Sequence, residues 1–271
     1  MPVLANELVD AIIDFLHEER SSLYACALVS KSCLSSARYH LFSDIVVDSK
    51  NFPSFLSLIE STSHIAPLVR GLAIIDMGYY QRSQRDFLAQ NMSRVAPSLR
   101  NAIRLKIALI NWDFPTLNVL ENSLVDAFET KIRHLELQIY AFRSFKQAAG
   151  FICHFSNLQR LDLKSVLWML DDDPYTVPGL RIPEPLTVHA GEFSRGKAIL
   201  LFTWLHIQCL QIQYPPPKLI SATFCVSEFL IPPTLGKTLE ILHLSHSGYQ
   251  NLEGTSNYLI SCSLLTVFIY R

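Results

Sequence analysis

One spacing, apolar–x–x–apolar–x–apolar, recurs along most of this chain and limits what it can fold into. It reads VRGLAI at 69–74, AIRLKI at 102–107, IRHLEL at 132–137, LQRLDL at 158–163, IQCLQI at 207–212, LEILHL at 239–244 and LLTVFI at 264–269. A weaker copy, PEPLTV, stands at 183–188. The fourth positions, Leu72, Leu105, Leu135, Leu161, Leu186, Leu210, Leu242 and Val267, lie 24 to 33 residues apart. Alternation in the second half of each copy suits a short strand. Between copies lie pieces with helical spacing, such as LNVLENSLVDAF (117–128), SFKQAAGFICHF (144–155) and KAILLFTWL (197–205). A strand and a helix repeated at this period cannot bury an apolar face alone and must stack on their neighbours. The expected fold class is α/β, with residues 68–271 forming an irregular solenoid of about eight units and a parallel sheet on its inner face.

The first 42 residues follow a different rhythm. Leu4, Leu8, Ile12 and Leu16 recur every four residues, with Val9 and Ile13 widening the stripe. After the polar stretch from His17, Ser21 or Ser22 can cap a second helix, and Ser30 a third. Residues 1–42 are therefore expected to form a small three-helix bundle that docks on something larger. Residues 43–67, with a helix near PSFLSLIES (53–61), read as a linker that caps the first strand. At the other end the chain stops at Arg271, in or just after a strand, with no polar capping unit. Such an end exposes sheet edge, so a fragment or a partner-covered end is expected there.

Composition removes several function classes. Net charge is −1, so no electrostatic field draws the chain to nucleic acid or an anionic membrane. No uninterrupted apolar run approaches the length of a membrane span, and MPVLANELVD lacks the basic start of a signal peptide. Six scattered cysteines without CxxC read as thiols in a reducing compartment, so cytoplasm or nucleus is expected.

Candidate chemistry is thin. Cys26, Cys33 and His40 are spaced seven residues apart. On one helix seven residues rise about 10.5 Å, too far for donors that must each lie about 2 Å from one ion. Their rhythm marks a packed face. Gly191-Glu-Phe-Ser-Arg-Gly-Lys197 approximates a phosphate-binding loop, but Ala198 stands where a hydroxyl would hold Mg²⁺. His243 and His246 supply too few metal donors, Asp171–Asp173 opens a Pro-rich loop, and Tyr214–Pro217 reads as a turn. No catalytic residue, metal site or cofactor is expected, and the chain reads as a non-enzyme.

LANELVDAIIDFL (4–16) followed by LYACALVSKSCLSSARYHLF (23–42) resembles an F-box: Leu-Pro-x-Glu-Leu, helical Ile/Leu, a Val-Ser-Lys-x-Trp-like segment and a closing aromatic. The remainder resembles leucine-rich repeats, although the Asn or Cys that usually follows the motif is replaced by Met77, Ile110, Tyr140, Val166 and Ser247. The resemblance implies a substrate receptor of Skp/cullin/F-box ubiquitin ligases, with a Skp-type adaptor, a cullin and an unidentified protein substrate as partners. Carried over by position, the adaptor-binding residues are Leu4, Ala5, Leu8, Ile12, Val29, Ser30 and Cys33. Ala5 stands where the family has Pro, and Cys33 where it has Trp. The alternatives are a repeat scaffold without ligase coupling, or a nucleotide-binding enzyme using Gly191–Lys197. The middle residue of each apolar–x–apolar triplet should face the open side of the sheet: Ala73, Lys106, Glu136, Asp162, Thr187, Gln211, His243 and Phe268. Lys106, Glu136, Asp162, Gln211 and His243 are the candidate substrate-facing residues.

Overall fold

The computed structural model describes residues 5–78, 81–110, 112–172, 176, 186–193, 200–201, 204, 218–225, 241–245 and 266–270. In six of the described motif copies the strand begins at the third position, at Gly71, Arg104, His134, Arg160, Ile241 and Thr266, and in PEPLTV it begins at the fifth, Thr187. The strands are β1 Asp44–Val47, β2 Gly71–Asp76, β3 Arg104–Leu109, β4 His134–Gln138, β5 Ala141–Ser144, β6 Arg160–Lys164, β7 Leu167–Leu170, β8 Thr187–Phe193, β9 Lys218–Cys225, β10 Ile241–Ser245 and β11 Thr266–Tyr270. The helices among the described residues are α1 Asn6–Phe15, α2 Arg20–Val29, α3 Lys31–Ser43, α4 Phe52–Ser61, α5 Arg82–Val95, α6 Phe114–Phe128 and α7 Phe145–Cys153. The chain is thus α/β. Nine of the described strands form one parallel sheet in the order β1-β2-β3-β4-β6-β8-β9-β10-β11, which follows chain order, while β5 and β7 pair separately.

Register explains why the motif repeats. Leu72, Leu105, Leu135 and Leu161 are paired in one row, and Ile74, Ile107, Leu137 and Leu163 in the next. All eight are buried with the leading Val69, Ala102, Ile132 and Leu158. Each fully buried Leu or Ile contributes about 1.5–3 kcal/mol. Helix residues Leu88, Met92, Leu117, Leu120, Leu124 and Phe151 join the same core, so the helices cover this face. The other face carries the alternate residues.

Local chemistry sets the turns. Asp113 caps α6 by accepting from Thr116 N at 3.0 Å, and Ser144 caps α7 by accepting from Gln147 N at 3.3 Å. Pro53 and Pro115 stand in the first turns of α4 and α6, where no amide donor is needed. Asn101 and Asn157, at equivalent places before β3 and β6, donate to Pro67 O at 2.7 Å and Thr130 O at 2.6 Å. Each ties its turn to the preceding one. After β4 and β6, Ile139 and Ser165 take left-handed φ values of 48° and 52°. The kinks turn Tyr140 and Val166 into the core before β5 and β7. Tyr140 Oη there donates to Glu121 Oε1 of α6 at 2.8 Å, and Gln147 Nε2 of α7 donates to Oε2 at 2.9 Å.

Three expectations need correcting. The sheet begins at Asp44, inside the segment read as a linker, because Asp44–Val47 pairs with Gly71–Ile74. The PEPLTV copy enters two residues out of register: Val188, not Leu186, pairs with Leu161, so His189 rather than Thr187 stands beside Asp162. The strand that pairs with β8 is KLISATFC, which the motif reading did not mark, while IQCLQI lies outside the described residues.

The N-terminal helices have a separate small core of Ile13, Leu23, Ala37 and Leu41. Phe42 packs against both this core and the large one. Arg20 Nη2 donates to Leu41 O at 3.1 Å, and Arg70 lies over the Tyr39 ring at 5.4 Å.

Candidate functional site

Two surfaces gather the residues singled out from the sequence. The first is the outside of the helical bundle. The apolar stripe of α1 divides between two faces. Ile13 is buried, and Val9 and Leu16 pack beside it, whereas Leu8, Ile12 and Phe15 are 56%, 53% and 87% exposed. A third, polar side fastens α1 to α3: Ser36 donates to Asp10, and His40 Nε2 donates to Asp14 Oδ1 at 2.7 Å. At the end of α2, Leu28 and Val29 are 88% and 78% exposed. With α1 held on two sides, the outward row cannot rotate inward without breaking those contacts.

The other adaptor candidates are placed differently. Ala5 is exposed at the N-cap of α1 and provides no side-chain cap. Ser30 caps α3, accepting from Cys33 N at 3.2 Å. Cys33 is half-buried against the bundle's own core, as is Cys26. Leu4 lies outside the described residues. Phe15 was missed from sequence, although its seven-residue step from Leu8 was the signal.

The second surface is the open face of the sheet. Lys106, Glu136, Asp162 and His189 stand side by side on β3, β4, β6 and β8. A neighbouring row holds Asp44, Gly71, Arg104, His134, Arg160 and Thr187. Apart from Thr187, sequence reasoning missed this row. Gly71, Arg104, His134 and Arg160 are the third positions of their motifs, two residues before the middle one and therefore on the same face.

These charges pair with one another. Lys106 Nζ lies 2.6 Å from Glu136 Oε1. His134 Nε2 donates to Asp162 Oδ2 at 2.8 Å, Arg160 Nε reaches both Asp162 oxygens at 3.0 Å, and His189 Nε2 lies 4.0 Å from Oδ1. Burial pushes the Asp162 carboxyl up, but the hydrogen bonds from His134 and Arg160 outweigh it and hold it below the usual range. Burial pushes the His189 imidazole down, against the pull of Asp162. Arg104 Nη2 arches across β2 to Asp44, 2.6 and 2.7 Å from its two oxygens. A side chain at Gly71 would collide with that carboxylate. Beside the arch lies a groove of about 160 Å³, floored by Gly71 and Ala73 and flanked by Val46, Arg104 and Lys106.

His243 pairs with Thr223, which pairs with Gly191, so it belongs one row beyond the Lys106–Glu136–Asp162 row. Gln211 lies outside the described residues, as do His246, Asp173, Ser194–Lys197 and Tyr214–Pro217. Gly191, Glu192 and Phe193 continue β8, so the first half of the phosphate-loop-like stretch is strand. Among the described residues no helix is long and apolar enough to cross a membrane. No family model matches the chain, and the search of curated proteins gives no match.

Proposed function

We propose that the chain is a non-catalytic protein-interaction adaptor, a substrate receptor of a Skp/cullin/F-box ubiquitin ligase. In this reading α1–α3 are an F-box-like bundle that docks on a Skp-type adaptor. The following units are a leucine-rich-repeat-like solenoid whose open sheet face meets the protein to be ubiquitinated, in cytoplasm or nucleus. The observation that carries it is the outward row Leu8, Ile12 and Phe15, with Leu28 and Val29 beside the next helix end. Large apolar side chains left outside a bundle that already has its own core mark a protein-binding face. The sequential parallel sheet supports the second half, because repeat receptors use such a face.

Capture of the full chain from cells, followed by detection of a Skp-type adaptor, tests the proposal. Leu8→Asp places a charge in the row without touching the bundle core, so it should abolish adaptor recovery while leaving the circular dichroism spectrum unchanged. Failure of the wild-type chain to recover adaptor under gentle conditions would sink the proposal. A second reading, a repeat scaffold without ligase coupling, is favoured by Cys33. It packs inward where the family presents a tryptophan. Calorimetry with purified adaptor separates the two: measurable binding excludes the scaffold.

A further inference from the structure

His134 and Glu136 leave β4 on the same side, two residues apart, and Asp162 faces Glu136 from β6. One imidazole nitrogen and one oxygen from each carboxylate all lie within 4.8 Å of one another. A second imidazole, that of His189 on β8, stands next to Asp162. Donors from three adjacent strands therefore converge on one patch of the open face. We propose that His134, Glu136 and Asp162 form a binding site for a divalent transition ion of the zinc class, with the fourth position left to water or to a donor brought by a bound protein.

The donor set is chemically apt. Imidazole and carboxylate together suit zinc and its first-row neighbours rather than calcium, which takes oxygen alone. Zinc bonds of about 2.0–2.2 Å put donors about 3.4 Å apart in a tetrahedron. The observed spread closes to that by side-chain rotation, because the three Cα atoms are already fixed by the ladder. The hydrogen bond between His134 Nε2 and Asp162 Oδ2 spans 2.8 Å, with a proton between two potential ligands. The ion takes the place of that proton, which leaves to solvent.

Without an ion the charges are balanced by Lys106 on Glu136 and Arg160 on Asp162. Lys106 touches one Glu136 oxygen, Oε1. Both cations have long side chains that reach water and can withdraw, but they repel an incoming ion. The site therefore differs from a dedicated metal cage in one measurable way: removing Lys106 should strengthen it.

The full chain, stripped with chelator, would be titrated with Zn²⁺ and with Co²⁺. Expected is one saturable equivalent per chain. Cobalt should give visible d–d bands with no thiolate charge-transfer absorption, which distinguishes this site from the cysteines. His134→Ala and Asp162→Asn should each weaken binding tenfold or more with unchanged circular dichroism, and Lys106→Met should tighten it at least threefold. The proposal is overturned by absent saturable binding, by a signal carried only by thiolate, by unchanged affinity in His134→Ala, or by no gain in Lys106→Met.

Discussion

The pairing of Tyr140 with Glu121 makes a quantitative prediction, because both groups are buried and their bond changes character with pH. Burial pushes the Glu121 carboxyl up, and the hydrogen bonds from Tyr140 and Gln147 only partly offset this. Burial, followed by the Glu121 charge, pushes the Tyr140 phenol well up, so it remains a donor throughout the working range. Tyr140→Phe removes the donor without leaving an orphan on the ring. Above the Glu121 pKa the lost bond is charge-assisted, and the expected cost is about 1.5–3 kcal/mol. Below it the carboxyl is neutral, and the cost falls to about 0.5–1.5 kcal/mol. The sign for the wild type follows from linkage. A carboxyl whose folded pKa is raised binds protons more readily in the native state, so its contribution is fully present below the unfolded pKa of 4.5 and is lost as pH rises through the folded value. Urea midpoints of wild type, Tyr140→Phe and Glu121→Gln, measured across the carboxylate range, provide the assay. Glu121→Gln should show a flatter pH dependence than wild type, and Tyr140→Phe should cost more at high pH than at low. Parallel curves for all three would refute the reasoning, since they would mean that Glu121 does not titrate in the native core.

Two further predictions concern local structure. Ser30→Ala removes the α3 cap and should cost about 1 kcal/mol, read as faster hydrogen exchange in α3 with β3 and β4 unchanged. Ile139→Asn should stabilise the protein by up to about 1 kcal/mol, because a β-branched residue pays about 1–2 kcal/mol in the left-handed region and asparagine pays less, and thermal unfolding would register it as a higher midpoint.

Much of the architecture was legible because burial writes itself into spacing. Leu72, Leu105, Leu135 and Leu161 were aligned from sequence and pair in that alignment. The failures have physical causes. Asp44–Val47 is short and half-exposed, so it lacks the leucine pattern of inner strands, and only its pairing with β2 identifies it. Thr187 was assigned to the wrong row because Leu186 and Val188 are both buried, and either satisfies the motif. Tyr140 filled a place where the repeat pattern has Asn or Cys. Its meaning lies in Glu121, on another element, which no spacing rule connects. Among the site residues, the periodicity of Leu8 and Ile12 marked them as apolar but could not say whether they faced in or out. That depended on Asp10 and Asp14 being tied to Ser36 and His40. The charged face was half legible: its middle row was read, while Arg104, His134 and Arg160 were overlooked two residues away.

The order of strands in the sheet also bears on how the chain is made. Strand partners lie between 20 and 33 residues apart along the sequence. A chain leaving the ribosome therefore meets, with each new strand, an edge that has already formed. None of the described strands has to wait for a distant one, and the closure entropy paid at each addition is small and nearly constant. Synthesis and folding can advance together in one direction, and a pause in translation would leave a shorter sheet with one open edge rather than a tangle.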